Sequence, residues 1–146
     1  MPGILGLISN KNEEKLFDKM CQKLNHYDYQ IEKFLSQEEL SMFLNLSDIV
    51  INIPKTDQFS VSLMETMASH TIPIISKLKV YEDILVNEEN ALILNKTNKS
   101  KLSKKILYVI DNYEKLSKKI INNNNKLVLD KYNFQTQIEK IIDLYM

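Results

Sequence analysis

A chain of 146 residues that is 44% hydrophobic and 26% charged, with 19 basic against 19 acidic residues, has the make-up of one soluble domain with one core. Its zero net charge gives no bulk attraction to nucleic acid or to an anionic bilayer, and no apolar run nears the ~20 residues of a membrane span. The single cysteine, Cys21, excludes an internal disulfide and a cysteine-based metal cluster, and the two glycines, Gly3 and Gly6, leave no room for GxGxxG or a P-loop.

The opening "MPGILGLISNKNEEK" has an apolar patch with no basic region before it, so it does not read as a secretory signal. With one cysteine, this points to a cytoplasmic setting, with or without peripheral contact to a membrane. "ILGLIS" (Ile4–Ser9) reads as a buried strand. Leu16, Phe17, Met20, Cys21 and Leu24 then recur at helical spacing over Asn12–Asn25, with Cys21 as a small core residue. "NHYDYQ", holding His26 and Asp28, reads as a polar turn rather than an acid–base pair. "YQIEKFL" (Tyr29–Leu35) alternates as a strand. Ser36 and Glu39 form a capping box and open a helix with Leu40, Phe43 and Leu44 turned inward.

"DIVINI" (Asp48–Ile53) is nearly all apolar and β-branched, as in a central strand covered on both faces, and Pro54 ends it. A polar loop follows, and a helix opens near Ser60–Ser62 with Val61, Met64, Met67 and Ala68 on one face. "IPIIS" (Ile72–Ser76) is a second buried strand, Val80–Leu85 a short helix and "ALIL" (Ala91–Leu94) a last strand. After Lys96 the pattern is helical, through Leu102, Ile106 and Val109 and then Leu116, Ile120 and Ile138–Leu144, with "NNNN" (Asn122–Asn125) as an interruption. "KSKLSKK" reads as a solvated helix face. The expected domain is one Rossmann-like unit over 1–146, with an α/β core at 1–96 and C-terminal helices at 97–146.

Strands alternating with helices imply right-handed crossovers and a doubly wound parallel sheet of five strands, with helices on both faces and a helical C-terminus. Ligands bind such sheets beyond the carboxyl ends of the strands, where strand order reverses, so the loop 54–59 is the natural place for a site. Two acids bracket it: Asp57 and Glu65, with seven residues between. They have two readings. Ser62-x-x-Glu65 matches a capping box, and Asp57 can sit near the positive helix end as ordinary loop structure. Alternatively, the unpartnered N–H groups of the helix's first turn point into the crevice as a phosphate site, with Glu65 set to accept from a ribose and Asp57 from a sugar hydroxyl.

The segment "LSQEELSMFLNLSDIVINIPKTDQFSVSLMETMASHTIPIISKLKVYEDILVNEENALIL" resembles the donor-binding C-terminal half of the family-4 glycosyltransferases of GT-B fold. Asp48, Pro54, Phe59, Glu65, Met67, Ala68, Pro73, Ile74, Ile75, Glu82, Asn90 and Leu92 fall in register with that family's E-x7-E block and its flanks, and "YNFQTQIEKIIDLY" resembles its usual ending. The resemblance implies a nucleotide-sugar donor as ligand. It casts Asp57 as the catalytic carboxylate that contacts the donor sugar and helps stabilise the transition state, and Glu65 as the ribose-binding acid. Phe59, Ser60 and Val61 become the loop whose amides meet sugar and diphosphate, and Ser62 and Leu63 the helix start that holds the phosphates. No DxD occurs, so the implied mechanism needs neither metal nor cofactor.

The departures are specific. Asp57 replaces a glutamate and sets its carboxylate back by about 1.5 Å. Ser60, Thr66 and His70 stand where the family has Gly, Ala and Gly. His70 is read as a helix-end residue rather than a base. The family's G-R-x-x-x-x-K-G segment has no counterpart, and Lys77 and Lys79 are its only candidate substitutes. The acceptor domain also has no counterpart, which implies either a further domain or a partner chain. With the family's first strand and helix missing, the order 2-1-3-4-5 is expected instead of 3-2-1-4-5-6. The competing reading is a non-catalytic α/β interaction module that kept the scaffold and lost the donor site.

Overall fold

The computed structural model describes the backbone at residues 4–7, 29–30, 35–58 and 60–145. The expected helix over Asn12–Asn25, the His26–Asp28 turn and most of the strand Tyr29–Leu35 lie outside the described residues, and so does Phe59.

The described residues form five parallel strands: β1 (Ile4–Leu7), β2 (Tyr29–Gln30), β3 (Ile49–Asn52), β4 (Ile72–Ser76) and β5 (Leu92–Leu94). They lie in the order β2-β1-β3-β4-β5. β3 and β4 pair with Ile49 opposite Ile72, and β4 and β5 with Ile74 opposite Leu92. Among the described helices, α1 (Gln37–Leu46) precedes β3 and α2 (Val61–Ala68) links β3 to β4. After β5 come α3 (Lys99–Asp111), α4 (Tyr113–Leu127), a π-helical turn (Val128–Tyr132) and α5 (Phe134–Tyr145). No helix among the described residues is long and apolar enough to cross a membrane.

β3 and β4 are apolar up to their closing Asn52 and Ser76 because both of their faces are covered. Ile49, Ile51, Ile53, Ile72, Ile74, Leu92 and Leu94 pack against Leu102, Ile106 and Val109 of α3 and Leu116 and Ile120 of α4. On the other face Ile75 meets Leu63 and Met67 of α2 together with Tyr81, Leu85 and Ala91, and Val50 meets Leu44 of α1. Burying each such side chain contributes about 1.5–3 kcal/mol. The parallel α/β layers and helical C-terminus are those expected.

The Ser36 box forms as read: the Ser36 N–H donates to Glu39 Oε2 at 2.8 Å and the Glu39 N–H to Ser36 Oγ at 3.2 Å. Two readings need correction. The buried face of α2 is Leu63, Thr66 and Met67, while Val61 is 68% exposed and Ala68 is exposed. The Asn run interrupts nothing: α4 passes straight through Asn122–Asn125. Asn123 Nδ2 donates to the Glu89 carbonyl at 2.8 Å, and Asn124 continues the inward row of Leu116 and Ile120. At the carboxyl ends, Ser76 Oγ donates to the Pro54 carbonyl at 2.5 Å and ties β4 to the start of the 54–59 loop. At the opposite ends, Tyr113 donates its hydroxyl to Asp48 Oδ1 at 2.7 Å, joining α4 to β3.

Two strained or orphaned positions can be tested. Asn124 is fully buried, and neither Oδ1 nor Nδ2 has a partner among the described residues. A buried unsatisfied amide costs about 1–3 kcal/mol, and alanine also favours the helix. Asn124→Ala should therefore raise the unfolding free energy by about 1–2 kcal/mol in urea. His70 follows α2 with φ 62°, the left-handed conformation in which glycine has no Cβ penalty. His70→Gly should add about 1 kcal/mol.

Candidate functional site: the loop and helix start after the third strand

The site is assembled where β3 ends. Pro54 is buried and held by Ser76, and the chain turns through Lys55–Gln58 before α2 begins. The N-cap of α2 is Ser60, whose Oγ accepts from the Leu63 N–H at 3.2 Å. The expected Ser62–Glu65 box is thus corrected: the cap lies two residues earlier. Ser62 instead shares a 2.8 Å hydroxyl–hydroxyl bond with Ser60, and its carbonyl accepts from Thr66 Oγ1. Among the described residues the amides of Val61 and Ser62 have no partner, whereas that of Leu63 is taken by the cap.

Asp57 is half-buried and pinned at both oxygens. Oδ1 accepts from the Gln58 N–H at 2.8 Å, and Oδ2 accepts from the Tyr81 hydroxyl. Tyr81 is only 3% exposed. Burial, and then the Asp57 carboxylate that accepts its proton, push its pKa well above the ordinary tyrosine value, and a Ser60 hydrogen bond works the other way. Asp57, Ser60, Ser62 and Tyr81 thus form one polar chain at the head of α2. Sequence reading placed Tyr81 in a short helix and gave it no role. No spacing rule links two residues on opposite sides of β4, and only the fold brings them together.

Glu65 is half-buried and looks elsewhere. It lines a hollow of about 340 Å³ between α1 and α2 with Gln37, Leu40, Ser41 and Ser69. The structure does not bring the two acids into one cavity: Asp57 faces the turn after β4, Glu65 the hollow beside α1. Ser60 is 8% exposed, Val61 open to solvent, Ser62 half-buried and the Leu63 side chain part of the core. Lys77 reaches Glu82 at 3.9 Å, so its charge is matched, and Lys79 is exposed. His70 ends the helix by its backbone, and the last carbonyls accept from Ser69 and Thr71. Among the described residues no cluster of three His, Cys, Asp or Glu side chains could hold a metal ion.

A family model described as glycosyl transferases group 1 matches residues 3–144. Among solved structures, the C-terminal domain of a glycosyl transferase group 1 family protein from Francisella tularensis matches with TM-score 0.65 and 24% identity, covering 86% of this chain and 66% of that one. A glycosyltransferase from Rickettsia africae matches with TM-score 0.78 and 17% identity over 99% of this chain and 47% of that one. Anabaena HepE, solved in complex with UDP, matches with TM-score 0.71 and 13% identity over 99% and 40%. The chain therefore spans less than half the length of the latter two. No curated protein matches it.

The tyrosines give a pH signature. Tyr81 and Tyr113 both hold their protons more tightly folded than unfolded, Tyr113 through burial and then Asp48. Below the unfolded tyrosine pKa of about 10 the stabilisation is fully present; above it the unfolded chain releases protons first, so stability falls as pH rises. Urea unfolding between pH 8 and 11 should show a flat region and then a decline, reduced in Tyr81→Phe. At neutral pH that variant should lose about 1–2 kcal/mol.

Proposed function

The chain belongs to the glycosyl transferases group 1 family, and on that premise we propose that it is the donor-binding domain of a glycosyltransferase. The parent reaction transfers a sugar from a nucleoside diphosphate sugar to a glycan or a lipid-linked acceptor. The observation that carries this reading is the head of α2: two amides, those of Val61 and Ser62, without a partner among the described residues, beside a carboxylate held in place by Tyr81.

In this reading the amides of Phe59, Ser60, Val61, Ser62 and Leu63 face the sugar and diphosphate. Fixed N–H dipoles stabilise the charge that builds on the leaving diphosphate without any metal. The Leu63 amide joins them only after exchanging its Ser60 partner. Asp57 lies beside the donor sugar and opposes the positive charge that develops on it. Glu65, from the hollow beside α1, accepts from the ribose. The chain spans 47% of the Rickettsia enzyme. We therefore assign acceptor binding to a further domain or partner chain, and expect no transfer from these residues alone.

The hydroxyl of Ser60 on the Leu63 amide and that of Tyr81 on Asp57 favour a second reading. Here the polar groups satisfy one another, and the scaffold serves as an interaction module. Titration with UDP, GDP and their sugars, followed by amide shifts, separates the two. The donor-site reading expects shifts across residues 57–65, and silence there would leave the module. Glu65→Gln should weaken nucleotide binding about tenfold while changing stability by less than about 1 kcal/mol; unchanged binding would remove Glu65 from the site.

A further inference from the structure

A cavity of about 450 Å³ is lined by Lys77, Tyr81, Leu85, Ile93, Asn95 and Lys105 among others. A second, of about 310 Å³, is lined by Ile93, Asn95, Lys101, Lys104, Lys105 and Tyr108. Both share Ile93, Asn95 and Lys105, so they adjoin along β5, the last strand of the sheet.

The charge along this edge is one-sided. Residues 96–105 hold five lysines (Lys96, Lys99, Lys101, Lys104 and Lys105) and no acid, in a chain whose net charge is zero. Among the described residues, Lys101, Lys104 and Lys105 have no carboxylate within 4.0 Å. Two acids belong to the surroundings: Glu82 lines the first cavity 3.9 Å from Lys77, and Glu88 lies beside Tyr108. The lysines also sit against local preference, in the first turns of α3 where the macrodipole is positive and no acid offsets it. Asn98 caps that helix, its Oδ1 accepting from the Lys101 N–H at 3.0 Å, and the groups invoked for recognition are the side chains in the cavities rather than the helix end. Local rules are broken chiefly at functional or strained sites, and nothing here is strained by the lysines.

We propose that this double cavity binds phosphate groups, with Lys101, Lys104 and Lys105 as the cationic contacts and Asn95 and Tyr108 as neutral hydrogen-bonding partners. The shared chemistry is the phosphate, whether free or on a lipid head group. The first cavity shares Tyr81 and Lys77 with the surroundings of the donor site, but none of the three lysine contacts takes part in the donor reading.

Wild type and the triple variant Lys101→Gln, Lys104→Gln, Lys105→Gln would be titrated with inorganic pyrophosphate, and with phosphatidylcholine vesicles with and without phosphatidylglycerol. A control variant changes Lys115, Lys118 and Lys126 to Gln on α4. The expected result is amide shifts at Asn95, Lys101, Lys105 and Tyr108, with affinity at least tenfold weaker in the triple variant and within twofold in the control. The triple variant should also melt at or above the wild-type temperature, since it removes like charges from a positive helix end. UDP-induced shifts at 57–65 should be the same in both, which keeps the outcome separate from that of the donor site. A response to pyrophosphate alone assigns free phosphate, and one to phosphatidylglycerol vesicles alone assigns a head group. No response to either, or equal weakening in the control, overturns the proposal.

Discussion

Burial of β3 and β4 on both faces is the constraint from which the remaining features follow. With helices packed above and below, these strands have no polar side chain to spare along Ile49–Ile51 or Ile72–Ile75. Polar chemistry is driven to the strand ends, and the two ends are treated differently. At the amino ends Asp48 is consumed structurally, receiving the Tyr113 hydroxyl and fixing α4 to the sheet. At the carboxyl ends Ser76 anchors Pro54, and the chain beyond is free to turn outward before α2 begins. A carboxylate at one end is mortar, while the carboxylate at the other stands at the crevice where open α/β sheets receive ligands.

The head of α2 combines satisfied and unsatisfied groups. Ser60 closes one amide and Tyr81 holds Asp57, yet the amides of Val61 and Ser62 have no partner among the described residues. Ser60 supplies a side chain that acts as a cap, and an N-cap serine contributes about 1 kcal/mol to the helix start. His70 has no such return: its backbone keeps the left-handed conformation that glycine would adopt freely.

The layered fold was legible because periodicity reports burial directly. "DIVINI" and "IPIIS" could be covered only on both faces, and Ser36 with Glu39 marked a helix start that the structure reproduces atom by atom. Signals failed where two local motifs competed or where a partner came from far away. Ser60 and Ser62 both suit an N-cap; spacing to Glu65 favoured Ser62, whereas the position of Leu63 in the core fixed Ser60. The Asn run looked like a break because asparagine is a weak helix former, but Asn123 gains a bond to Glu89 across 34 residues and neighbouring Ile120 is buried. Tyr81 was invisible for the same reason: its partner Asp57 is 24 residues away on the other side of a strand.

The last strand, β5, is three residues long and forms the outer border of the sheet. An uncovered border of this kind is a template on which another chain can add a strand, and long apolar borders of that sort seed aggregates. Here the run is brief, and lysines crowd beside it from Lys96 to Lys105. A second molecule drawing near would have to bring its own cluster of ammonium groups against this one. The basic rim therefore also discourages the sheets of neighbouring molecules from zipping together, in a protein whose zero net charge offers no general repulsion to keep copies apart.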